Sequence, residues 1–67
     1  MIGYVFRNSD GSLYFTEYGN HAYKNIEKGR WVMGKGAHAM SINMGNFPEV
    51  KWEDEEPTKV ELTTIYD

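Results

Sequence analysis

The stretch NHAYKNIEKG, residues 20–29, decides which fold class the chain belongs to. Asn20 is a residue type that caps helix N-termini, and Gly29 is one that ends helices in the left-handed conformation. Ala22 and Ile26 lie four apart with Tyr23 beside them, and Lys24 and Lys28 lie four apart as a solvent-facing pair. This spacing predicts a short helix over about residues 21–28, with Lys28 well placed against the negative end of its dipole. A helix of about two turns does not hold itself in water, so it must pack on a sheet.

The flanks supply that sheet. IGYVFR (residues 2–7) and SLYFTEY (residues 12–18) are rich in aromatic and β-branched types and surround the turn residues NSDG. They read as a β-hairpin. RWVM (residues 30–33) reads as a further strand entry. In HAMSINM, His38, Met40, Ile42 and Met44 alternate with small and polar residues, the period of a half-buried strand. Val50 and Trp52, then Val60, Leu62, Thr64 and Tyr66, alternate on either side of EDEEPT, where Pro57 interrupts pairing. This predicts a second hairpin with an acidic tip. The expected fold is α+β: one domain over residues 1–67, with an antiparallel sheet of four to five strands, two hairpins and the short helix.

One fragment imitates a nucleotide site. Gly29, Gly34 and Lys35 stand at the spacing G-x-x-x-x-G-K of a phosphate-binding loop. The four intervening residues are Arg30, Trp31, Val32 and Met33, whose bulk favours extended backbone over a cradle of N–H groups. Gly36 stands where serine or threonine would ligate magnesium, and no long helix follows. The fragment reads as a strand and a glycine turn, with Lys35 exposed.

Composition narrows the function classes. A 67-residue chain without cysteine has no disulfide or thiolate metal site to staple it, and its stability is expected to be modest. No signal-peptide pattern opens it and no apolar run is long enough to span a bilayer, so a cytoplasmic protein without membrane association is expected. His21 and His38 show no metal-ligand spacing, and Ser9, Ser12 and Ser41 no nucleophile signature. No metal, cofactor or catalytic residue is assigned, and no enzymatic activity is expected.

Two features remain. Residues 1–48 hold five basic and three acidic side chains, whereas residues 49–67 hold two and seven. The run Glu53, Asp54, Glu55 and Glu56 is the densest charge; as a solvated tip it would resist aggregation, and as a contact it would meet a basic partner. Two tryptophans, five tyrosines and three phenylalanines are many for this length. The expected function is a non-enzymatic protein-interaction module, with Trp52, Glu53, Asp54, Glu55, Glu56, Leu62 and Tyr66 as candidate partner-binding residues. Small acidic chains of this type are common among bacteriophage and prophage accessory proteins, which makes a host protein the expected partner; no residue carries that expectation. The terminal run KVELTTIYD, apolar on both faces, suggests a homodimer through an open strand edge. The alternative is a single-stranded nucleic-acid binder using Arg7, Lys24, Lys28, Arg30, Trp31 and Lys35, against which the net charge of −3 weighs.

Lys35→Ala is expected to change stability by less than about 0.5 kcal/mol. Calorimetry with ATP or GTP should show no micromolar binding before or after the substitution.

Overall fold

The computed structural model describes residues 2–61, and the expectations for Leu62 and Tyr66 fall outside them. The described chain is all-β. Its strands are β1 (Ile2–Arg7), β2 (Leu13–Glu17), β3 (Ala22–Asn25), β4 (Arg30–Met33), β5 (Met40–Ile42) and β6 (Thr58–Glu61). Four form an antiparallel sheet in the order β5-β2-β1-β6, while β3 and β4 form a separate antiparallel hairpin.

The expected hairpin at the start of the chain is present, with Val5 opposite Phe15 and Arg7 opposite Leu13. Its loop closes through Asn8 N–H to the Ser12 carbonyl at 2.9 Å. Asp10 Oδ1 accepts the Ser12 hydroxyl at 2.6 Å and the Ser12 N–H at 2.9 Å. Those two bonds, the hydroxyl first, hold the Asp10 carboxyl below its usual pKa.

The predicted helix over residues 21–28 is absent, and the α+β assignment falls with it. Ala22–Asn25 is a strand, and residues 26–29 turn the chain back into β4. Asn25 caps the turn, accepting the Lys28 N–H on its side-chain oxygen at 3.0 Å, and Gly29 closes it at φ 68°. A hairpin loop of this kind asks for a left-handed residue at its end, as a helix C-terminus does, so Gly29 fits both readings. The strand partner decides between them. RWVM begins directly after the turn and satisfies the backbone of β3 at once, whereas an isolated two-turn helix leaves most of its end groups open.

The predicted second hairpin is also corrected. Val50 and Trp52 lie in turns, not in a strand, and β6 pairs with β1 instead, with Val60 opposite Gly3. The strands therefore number six among the described residues, against the four to five expected. Among the described residues no helix is long and apolar enough to cross a membrane.

Strand alternation separates the two faces of the main sheet. One carries Val5, Leu13 and Phe15, which bury with Val50 and pack against Ile42, Phe47 and Val60. A Cβ on Gly3 would collide with the Thr16 carbonyl and the Phe15 ring, so glycine there gives that ring its place. The cover over this face is the irregular segment 43–50, and Arg7 holds it down. Arg7 Nε donates to the Val50 carbonyl at 2.7 Å, Nη1 to those of Gly11 and Met44 at 2.8 and 3.0 Å, and Nη2 to those of Asn46 and Phe47 at 3.0 and 3.1 Å. The guanidinium has five N–H donors, and each has a carbonyl.

Arg7→Lys replaces this planar fork with a point charge that cannot span the same carbonyls. A hydrogen bond to a charged group contributes about 1.5–3 kcal/mol, so the expected loss is about 3 kcal/mol, a large part of the stability of a domain this small. Urea unfolding followed by tryptophan fluorescence measures it. Arg30→Lys, on an exposed position, should shift the midpoint by less than about 0.5 kcal/mol.

Candidate functional site

The second face of the main sheet carries Tyr4 and Phe6 of β1, Tyr14 of β2 and Lys59 of β6. The β3–β4 hairpin docks beside it. Ser9 donates both its N–H and its hydroxyl to the Gly29 carbonyl, at 2.9 and 2.8 Å. Asn8 Oδ1 accepts the Trp31 N–H at 2.8 Å, and the Trp31 indole N–H reaches the Arg7 carbonyl at 3.1 Å. The Trp31 ring lies 5.8 Å from Phe6 and meets Trp52 edge-on at 6.5 Å. Lys24 Nζ sits over both indoles, 5.3 Å from Trp31 and 4.5 Å from Trp52, and donates to the Trp52 carbonyl. A cation shared by two indoles ties the hairpin to the segment after Val50.

The residues of the basic-aromatic set lie in different surroundings. Trp31 is only 7% exposed and offers no face to a base. Arg7 and Lys24 are turned to carbonyls and rings inside the domain. Lys28 lies exposed in the turn of the β3–β4 hairpin, Arg30 at the start of β4, and Lys35 in the turn that Ala37 N–H closes onto the Gly34 carbonyl. The glycine-lysine fragment is that turn, with Gly36 at φ 82°.

The acidic run lies on no hairpin tip. Asp54 Oδ2 accepts the Lys51 N–H at 3.0 Å and caps its own turn. Glu53, Glu55 and Glu56 are exposed between Trp52 and β6. Trp52 is half-buried against Trp31 and Lys24.

Of the candidate partner-binding residues, Glu56 joins a group of side chains that do converge, the others being residues not singled out by the sequence pattern. Tyr18 follows β2 in the turn that Asn20 N–H closes onto the Glu17 carbonyl at 3.2 Å, with Gly19 at φ 100°. It is 60% exposed, yet its ring stacks on Tyr4 with centroids 5.8 Å apart and planes 17° from parallel. Lys59 Nζ lies 5.0 Å from the same ring. The buried Thr16 fixes the turn, accepting Asn20 Nδ2 at 2.9 Å and donating to the His38 carbonyl at 2.8 Å. His21 stacks on Tyr23 at 6.1 Å. Tyr4, Tyr18, His21, Ala22, Glu56 and Pro57 are among the residues that line a groove of 370 Å³. A smaller groove of 290 Å³ lies between Phe6, Tyr14 and β4.

The sequence signal for the larger groove was the tyrosine in TEYGN: a ring beside a turn glycine, placed after a strand whose pairing is otherwise complete. Lys24→Met should cost about 1–2 kcal/mol by removing the cation–π contacts and the Trp52 carbonyl bond. Lys28→Met at the exposed turn should cost less than about 0.5 kcal/mol, and paired urea titrations compare them. Among known proteins, no family model, no characterised protein and no solved structure matches the chain.

Proposed function

We propose that this chain is a non-enzymatic protein-interaction module that binds its partner through the Tyr4–Tyr18 groove and the acidic segment that supplies Glu56 to it. The observation that carries the reading is Tyr18. A ring held by a hydrogen-bonded turn, stacked on a neighbour and still mostly exposed has given up freedom without gaining burial. Rigid, surface-exposed aromatic rings with polar hydroxyls are the side chains that protein contacts use as anchors. Glu56 in the groove wall, with Glu53 and Glu55 in the same segment, gives the contact a negative rim that steers a basic surface.

Tyr18→Ala is expected to keep the fold, at a cost of about 1 kcal/mol for the lost ring stack, and to lose a protein that the parent captures from lysate. The nucleic-acid reading predicts the contrary: poly-dT or poly-U retained at low salt, released as salt rises, and weakened by Lys28→Ala or Arg30→Ala. A gel-shift titration across salt concentrations separates the two.

A further inference from the structure

Resting on the interaction reading above, we infer that the Tyr4–Tyr18 groove accepts an extended, proline-containing and basic segment of its protein partner. The geometry first favours a polyproline II chain. Such a helix rises about 3.1 Å per residue, so two residues advance about 6 Å. The two tyrosine rings are 5.8 Å apart and nearly parallel, and with three residues per turn the residues at i and i+2 leave such a helix on adjacent ridges, one for each ring. Proline rings are compact, stiff and lacking an N–H, so they cover an aromatic surface without leaving a donor unmet. A polyproline II backbone makes no internal hydrogen bonds, and its carbonyls need donors from the groove. The hydroxyls of Tyr4 and Tyr18 and the His21 ring supply that chemistry among the lining residues.

Charge then selects the flanks. Glu56 lines the groove, Glu53 and Glu55 are exposed in the same segment, and Glu61 lies opposite Ile2 on the face that holds Tyr4. Lys59 lies over the Tyr18 ring and is the cation at the stack among the described residues. An arginine or lysine beside the prolines would meet carboxylates on leaving the rings, whereas a phosphate backbone would meet repulsion. The same carboxylates disfavour an acidic peptide.

The test uses the full chain and a ten-residue synthetic peptide with a central run of six prolines flanked by arginines, titrated in calorimetry and in ¹H–¹⁵N NMR. Binding is expected with shifts centred on Tyr18, His21 and Glu56. Tyr18→Ala should weaken it at least tenfold, as should replacing the peptide's prolines by alanine. Glu56→Lys should weaken the arginine-flanked peptide several-fold and leave a glutamine-flanked version unchanged. Both substitutions are at exposed positions, and an unchanged dispersion of the amide resonances away from the groove checks the fold. Absence of binding at millimolar peptide, or binding indifferent to Tyr18→Ala, overturns the inference. So does a groove that binds poly-dT or a cello-oligosaccharide through Tyr18 in place of the peptide. If lysate capture still depends on Tyr18 while the peptide fails, the interaction reading stands and the proline assignment falls; if both fail, both fall.

Discussion

The guanidinium of Arg7 is the constraint on which the domain is built. A sheet face carrying Val5, Leu13 and Phe15 has to be covered, and no helix among the described residues covers it. The cover is a run of turns, which brings backbone carbonyls toward the interior without a ladder to satisfy them. Leaving such groups unpaired costs about 1–3 kcal/mol each. Arg7 answers four of them in the segment 44–50 and one in the β1–β2 loop. Phe47 shows how tightly the segment is held. It sits at φ 50°, a conformation few side chains adopt, with its carbonyl bonded to Arg7 and to the Val50 N–H and its ring against the core.

The same residue links the two faces. While the Arg7 side chain holds the cover over one face, its carbonyl accepts the Trp31 indole on the other. Val50, fixed by Arg7 Nε, belongs to the first core; two residues on, Trp52 stands against Trp31 and under Lys24. The path from Arg7 through Val50 and Trp52 to Lys24 therefore positions the β3–β4 hairpin, whose first residues form one wall of the tyrosine groove. A domain with seven buried side chains among its described residues has little reserve. Polar fastenings between turns carry part of what a larger core would otherwise supply.

How much of this is legible in the sequence varies with the range of the interactions concerned. The first hairpin is plain in IGYVFR-NSDG-SLYFTEY because the turn and both strands are local and their patterns agree. RWVM as a strand, and the glycine turn after it, follow from side-chain bulk in the same way. NHAYKNIEKG is ambiguous because cap residues, a left-handed glycine and a pair of lysines suit a two-turn helix as well as a hairpin. Only the pairing of Lys24 with Trp31 resolves it. The alternation at Val50 and Trp52 misleads for a different reason: each residue faces inward, one toward each sheet face, but through turns that Arg7 and Asp54 hold. Arg7 itself reads as a surface cation, since nothing local reveals that its carbonyl partners lie mostly some forty residues away. Of the candidate partner residues, Glu56 lines the groove, whereas Tyr4 carries no spacing that sets it apart from a core aromatic and Tyr18 only its place beside a turn glycine.

The distribution of ring types completes the physical picture. Phe6, Phe15 and Trp31 are buried, while Tyr18 and Tyr23 are largely exposed and Tyr4 and Tyr14 half-exposed. A small sheet with one covered face needs its second face to be compatible with water without becoming a row of mobile charges. Tyrosine meets that demand, because its ring packs on a neighbour while its hydroxyl stays hydrated. The Tyr4–Tyr18 and Phe6–Tyr14 stacks stiffen the face in this way. Stiffness has a consequence for recognition. Rings already ordered lose little further entropy when a partner covers them, so the features that keep this sparse sheet folded also prepare its tyrosine face to bind.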